Sequence, residues 1–273
     1  MKSEEYAVVI PFYDGLATIQ KLVAGIEKVF DELLLTFQII IVDDSANDKK
    51  HDSLQSFFSA NENVSLIKLD KNFGQHYATF EGLKQSSGST VITMDEDLQH
   101  NPKDISVLIK EGLGGGCDIV YGNRLRKDWR YWLGRGILAF CFPNGPKTTC
   151  SFRLIKPSSV EELVSSKVPY FELEGLIYQL KPIYAYADVK LGNTERDSRK
   201  SSYSFLNVYT LISNLIAFYS WLPIVWIAMI CFLIQLVLIA TVEVASIFFL
   251  PISAFSLLTL IAYFSTRVNN PDS

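Results

Sequence analysis

Five short apolar runs, at residues 6–12, 37–42, 64–69, 90–94 and 117–121, are separated by stretches whose apolar residues recur at helical spacing. Runs of that length, rich in Val and Ile, read as buried strands. The stretches between them read as amphipathic helices: residues 16–35, a second ending near Ala60, a third opened by Asn72-Phe73-Gly74-Gln75-His76, and 102–113 with Pro102 in its first turn. Such a rhythm predicts an α/β fold, a mostly parallel sheet with helices on both faces. Ligands of these sheets bind outside the carboxyl ends of the strands. The acids collect at those ends: Asp14 after the first run, Asp43 and Asp44 after the second, Asp95-Glu96-Asp97 after the fourth.

The last of these clusters carries the sharpest chemistry. Thr90 to Met94 is β-branched and apolar, and it runs straight into the three acids. Side chains of an extended chain alternate faces, so Asp95 and Asp97 point one way and Glu96 another. Two converging carboxylates make a hard-oxygen site for Mg²⁺ or Mn²⁺, ions that commonly also hold phosphates. A solvated acidic turn is the competing explanation for an isolated Asp-x-Asp.

Other chemistries lack their signatures. Gly114-Gly115-Gly116 is followed by neither Lys-Ser/Thr nor a helix, so it reads as a turn rather than a phosphate cradle. No dinucleotide-binding glycine pattern follows the first strand, which argues against a nicotinamide enzyme. His51, His76 and His100 are not spaced as a zinc site, and Cys117, Cys141, Cys150 and Cys231 have no paired or metal-ligand spacing, as expected of reduced thiols. A net charge of −4 offers no basic surface for nucleic acid. The amino-terminal residues lead into a strand without a signal-peptide core, so the polar part is expected in the cytoplasm.

Charge is distributed unevenly. From Tyr203 to Thr266 only Glu243 is charged. Residues 1–202 are therefore expected to form a cytoplasmic domain, 203–220 an amphipathic helix along the membrane interface, and 221–267 a transmembrane hairpin, with 268–273 a cytoplasmic tail. Trp221-Leu222-Pro223 breaks the first helix from the spans Ile224 to about Thr241 and about Ser246 to Thr266. Arg196, Arg199 and Lys200 precede the pair and Arg267 follows it, which puts both ends on the cytoplasmic side.

The set Val8-Val9-Ile10-Pro11-Phe12-Tyr13-Asp14, Ile41-Val42-Asp43-Asp44-Ser45, Asn72 to His76, Met94 to Pro102 and Gly122-Asn123-Arg124 resembles the family 2 glycosyltransferases of the GT-A fold. It is most similar to their polyprenyl-phosphate group, which includes dolichol-phosphate mannose synthase and bacterial undecaprenyl-phosphate sugar transferases. The resemblance continues through Ser151-Phe152-Arg153-Leu154-Ile155, Glu174-Gly175, Glu195-Arg196 and Ser201 to Ser204, and so covers nearly the whole chain. It implies that Pro11, Tyr13, Asp14, Asp44, Gly74, Asp95, Glu96 and Arg124 line a nucleotide-sugar pocket, with the acid at the second strand facing the base. It implies that Asp95 and Asp97 hold Mg²⁺ or Mn²⁺ against a diphosphate leaving group, with Asp97, Asp95, Arg153 and Glu174 as the catalytic set. Arg124 and Arg153 read equally as ligand contacts or as ion-paired arginines. Asp43 and Asp48 read as helix caps at least as readily as ligand contacts. Arg196, Arg199 and Lys200 could grip a lipid phosphate, form a topology-setting basic collar, or both.

One departure stands out. Family members often carry an aspartate just upstream of Phe-Arg-Leu, whereas this chain reads Pro146-Lys147-Thr148-Thr149-Cys150-Ser151. A phosphate acceptor is largely ionised at neutral pH, its second pKa being about 6, so it needs positioning more than a base. The expectation is a membrane-anchored, inverting transferase of a bacterial inner membrane that moves a sugar from a UDP-, GDP- or dTDP-linked donor to a polyprenyl phosphate, possible as a homo-oligomer. A different lipid or glycan acceptor, or a catalytically silent nucleotide-sugar-binding scaffold, remains an alternative. The sequence names neither sugar nor nucleotide.

Overall fold

The computed structural model describes residues 6–86, 88–123, 136, 145–146, 150–166, 173–189 and 228–234. The chain divides into two compact units, one holding residues up to 166 and 171–204, the other 167–170 and 205–273.

In the first unit the alternation expected from the sequence is present. β1 (Tyr6–Phe12) leads to α1 (Leu16–Leu33), β2 (Phe37–Asp43) to α2 (Asp48–Phe58), β3 (Val64–Lys68) to α3 (Gln75–Gln85), and β4 (Thr90–Thr93) to α4 (Ile105–Leu113). Pro102 opens a 3-10 turn ahead of α4, and Asn101 accepts the Lys103 amide at 3.1 Å. Beyond β5 (Ile119–Asn123) come β6 (Arg153–Ile155), α5 (Pro157–Ser165), α6 (Leu173–Leu180) and β7 (Tyr184–Asp188). Helix α1 shows why the periodicity was legible: Ile19, Leu22, Val23, Ile26, Val29 and Phe30 form one buried stripe. The cap of α2 comes from neither Asp43 nor Asp48 but from Asn47, whose side chain accepts the Lys50 amide at 3.2 Å. Asp48 instead pairs with Lys68 across the surface.

Among the described residues seven strands lie in the order β3-β2-β1-β4-β6-β5-β7. β1 pairs in parallel with β2 and β4, β2 with β3, and β5 with β7. β6 runs against its neighbours, β4 and β5. The fold is thus mixed α/β with a mostly parallel sheet. Residues 8, 10, 39, 41, 92, 120 and 154 face a core closed by α1, α2 and α4. The other face carries Val9 and Val42 under α3, and a row of register partners from Thr93 through Arg153 and Tyr121 to Tyr186.

The chain winds outward from β1 through β2 to β3 and then returns to place β4 on the other side of β1. At such a reversal the connections leave in opposite directions and open a crevice above the strand ends. The turns after β1 and β4 flank it.

The interfacial helix and hairpin expected at 203–267 fall outside the described residues, apart from a helical segment at 228–234 whose Met229, Ile230, Phe232, Leu233 and Ile234 are exposed. Among the described residues no helix is long and apolar enough to cross a membrane.

Candidate active site

The three acids after β4 lie just past its last residue, Thr93, and each has its own partners. Thr93 faces the α3 side, and Asp95, two residues on, continues to that side. Its Oδ1 accepts the side-chain Nε2 of Gln75, the first residue of α3, and its Oδ2 accepts the Ser151 hydroxyl at 2.6 Å. Glu96 points to the other side, towards α1. Its Oε2 accepts the Tyr13 amide at 3.1 Å and its Oε1 the Asp14 amide at 3.0 Å, while its carbonyl accepts the Thr18 hydroxyl at 2.8 Å. Glu96 therefore ties the turn after β4 to the turn after β1. Asp97 closes a local turn, its Oδ1 accepting the Gln99 amide at 3.0 Å, and Leu98 beside it takes a left-handed φ of 60°.

The acids after β2 are used in the same way. Asp44 accepts the Phe73 amide at 2.7 Å and the Gly74 amide at 2.8 Å, one on each oxygen. Burial raises its pKa even though the two amides work to lower it. Gly74, at φ 93°, supplies the backbone turn that aims both amides at this carboxylate, a conformation that disfavours any side chain. Through these partners Asp44 anchors the loop that presents Gln75. Asp43 accepts the Ser45 hydroxyl at 2.6 Å and meets His51 Nδ1 at 3.0 Å.

Pro11 is buried within β1, whereas Tyr13 is more than half exposed. Lys50, which no motif in the sequence singles out, holds this turn from outside. Its Nζ lies 2.8 Å from Asp14 Oδ1, donates to the Tyr13 carbonyl at 3.0 Å, and sits 5.3 Å from the Tyr13 ring centre.

Arg153 and Glu174 form one unit. Arg153 Nη1 donates to Glu174 Oε1, Tyr121 donates its hydroxyl to Glu174 Oε2 at 3.1 Å, and the guanidinium lies 5.7 Å from the Tyr121 ring centre. Burial pulls the Arg153 pKa down, but the Glu174 carboxylate and Tyr121 more than reverse this, so the guanidinium stays charged well above neutral pH. Arg153 is therefore ion-paired in the structure. Burial, with Glu174 close by, also raises the hydroxyl pKa values of Tyr121, Tyr178 and Tyr184. His76 is pushed the other way: burial lowers its pKa, and Glu174 only partly opposes that.

Asp14, Asp44, Gly74, Asp95 and Glu96 thus belong to one network around the crevice, with Tyr13 at its rim. Arg124, Arg196, Arg199 and Lys200 lie outside the described residues. Gln75 and Ser151 stand inside the quoted motifs, yet no property of sequence alone marked them as partners of Asp95.

Asp95 and Asp97, both past the end of β4, carry hard-oxygen donors of the kind that Mg²⁺ or Mn²⁺ takes. Among the described residues no group of three or more His, Cys, Asp or Glu side chains could hold a metal. Two carboxylates on one turn are a set that leaves several positions for water and phosphate oxygens, the usual arrangement for Mg²⁺.

A family model described as "Glycosyl transferase family 2" matches residues 7–162. The undecaprenyl-phosphate 4-deoxy-4-formamido-L-arabinose transferase of Pseudomonas aeruginosa is 30% identical over 220 residues, 77% of this chain and 63% of that protein. Its counterpart in Pseudomonas syringae is 30% identical over 77% of this chain and 64% of its own length. The chain therefore spans less than two thirds of these curated relatives. Among solved structures, glucosyl-3-phosphoglycerate synthase of Mycobacterium tuberculosis, in complex with Mn²⁺, UDP and glucosyl-3-phosphoglycerate, aligns with a TM-score of 0.60 at 18% identity over 79% of this chain and 80% of that one. Mannosyl-3-phosphoglycerate synthase of Rubrobacter xylanophilus aligns with a TM-score of 0.61 at 14% identity, covering 78% of this chain and 72% of its own. At these identities the likeness is one of fold.

Proposed function

Because this chain belongs to glycosyl transferase family 2, we propose that it is a membrane-anchored, divalent-metal-dependent, inverting glycosyltransferase that moves a sugar from a nucleotide sugar to a polyprenyl phosphate. The observation that carries this reading is the pair Asp95 and Asp97 on the turn after β4, beside the strand-order reversal where ligands of open α/β sheets bind. The curated relatives support the lipid acceptor, being named for transfer to undecaprenyl phosphate. Neighbouring folds that hold Mn²⁺ or Mg²⁺ with UDP support a metal and a nucleotide sugar. The long stretch from Tyr203 to Thr266 with Glu243 as its only charge supports an anchor in a bacterial inner membrane, with the catalytic domain on the cytoplasmic side and room for subunits to associate through the tail.

Asp95 and Asp97 would hold Mg²⁺ or Mn²⁺, and when bound the ion supplies positive charge opposite the diphosphate as it departs. The remaining work falls to the protein. The Tyr13-Asp14 turn, braced by Glu96 and Lys50, would form one wall for the nucleotide, with Gly74 and Asp44 opposite and Arg124 near the diphosphate. Arg153 and Glu174 would act as one ion-paired unit. An ionised acceptor phosphate attacks the anomeric carbon in line without first losing a proton, so Arg196, Arg199 and Lys200 would act by holding it in place.

The test is release of nucleoside diphosphate by the full chain in detergent, across UDP-, GDP- and dTDP-sugars, with and without polyprenyl phosphate. Release should need Mn²⁺ or Mg²⁺ and the lipid, and Asp97→Ala should slow it about 100-fold or more. A lipid-independent reaction, or a sugar delivered to a different acceptor, overturns the assignment.

A further inference from the structure

The Asp95 carboxylate is gripped from both sides, by Gln75 on Oδ1 and by Ser151 on Oδ2 at 2.6 Å. Ser151 is itself held in place. Its carbonyl accepts the Thr93 hydroxyl, and that hydroxyl oxygen accepts Arg153 Nε at 3.3 Å. Thr93 and Arg153 are register partners on β4 and β6, and Arg153 is locked to Glu174. A chain of hydrogen bonds therefore runs from a buried charge pair, through two adjacent strands, to one carboxylate at the rim.

This arrangement suits a ligand carboxylate rather than a structural one. An aspartate just past a strand end is otherwise free to turn about two side-chain bonds. Donors on its two oxygens define the plane of the group. Each carboxylate oxygen has two acceptor sites, and Gln75 and Ser151 each engage one oxygen of the group. Both donors are neutral, and they orient the carboxylate without cancelling its charge as a lysine or arginine would. Partners of this kind tune metal ligands in general.

We propose that Ser151 is a positioning residue for the divalent cation: its hydroxyl, anchored through Thr93 and Arg153, sets the Asp95 carboxylate in the orientation that binds the ion. The inference rests on the reading of Asp95 and Asp97 as cation ligands.

The experiment is Mn²⁺ titration of the full chain in detergent with saturating UDP, GDP or dTDP, following free Mn²⁺ by its electron paramagnetic resonance signal and the bound ion by its line shape. Ser151→Ala should weaken Mn²⁺ about 10-fold and broaden the bound spectrum while the melting temperature stays within a degree or two of wild type. Ser151→Thr, which keeps a hydroxyl, should bind as wild type does. Wild-type affinity in Ser151→Ala, alongside loss of binding in Asp97→Ala, overturns the positioning role and leaves the cation site standing. A Ser151→Ala defect that comes with a lowered melting temperature and is not restored by Thr overturns it as well, in favour of a folding role. Failure of the wild-type chain to bind Mn²⁺ with any of the three nucleotides removes both readings.

Discussion

Arg153 on β6 and Glu174 on α6 form an ion pair whose side chains are only 3% and 12% exposed. A charge pair this far from water returns little net stability while intact, because desolvation offsets the attraction, yet removing one partner strands the other. Glu174→Leu or Arg153→Met alone should therefore destabilise the protein by about 3–5 kcal/mol. The double variant Arg153→Met/Glu174→Leu should recover a large part of that loss. Urea denaturation of the four proteins checks this; single variants within 1 kcal/mol of wild type would contradict it.

Glu96 bridges two turns through the amides of Tyr13 and Asp14. Glu96→Gln keeps the shape but turns an amide donor onto one of those N–H groups. It should cost about 1–3 kcal/mol and loosen the turn proposed to hold the nucleotide. Hydrogen exchange at Tyr13 and Asp14 should quicken, and nucleotide affinity should fall with little change elsewhere in the sheet.

Gly82 on α3 lies against the sheet. A Cβ there would sit 2.3 Å from Val9 Cγ1 and 3.3 Å from Val42 Cγ2. Replacing glycine in a helix by alanine usually gains about 1 kcal/mol, but overpacking of this kind costs about 1–3 kcal/mol. The clash should win, so Gly82→Ala lowers thermal stability. Gly82→Ala combined with Val9→Ala should restore part of it, because the two substitutions share one space.

His76 makes stability depend on pH. Burial holds its folded pKa below the ordinary value of 6.5, while Glu174 raises it and Arg153 lowers it to a smaller extent. The unfolded chain therefore binds the proton more readily, and stability rises with pH across this window. Its contribution is complete above about 6.5, declines as pH falls through that value, and levels off below the folded pKa. Denaturation midpoints measured between pH 5 and 8 should show this slope in the wild type and a flatter one in His76→Gln.

The half of the fold from β1 to β5 was legible because its signals are local. Buried stripes on α1 and α4 and continuous apolar runs in β1 and β2 follow from periodicity over a dozen residues. The divergence of Asp95 from Glu96 was readable for the same reason: neighbours at the end of an extended segment face opposite ways. β6, α5, α6 and β7 carried no comparable signal. β6 has three residues, and it is a strand because β4 and β5 flank it from tens of residues away.

What the sequence determined by itself was the strand–helix order, the acids at the strand ends, and the motifs that point to the family. Each depends on residues close together in the chain. Only the tertiary structure decided the partners: Asp44 with the Phe73 and Gly74 amides, Glu96 with the β1 turn, Lys50 with Asp14, Ser151 with Asp95, and Arg153 with Glu174. The physical reason is that a carboxylate carries the same charge and acceptor sites wherever it stands. Which donor reaches it is set by the antiparallel insertion of β6 and the close seat of α3 on the sheet, and neither is written in any short stretch of residues.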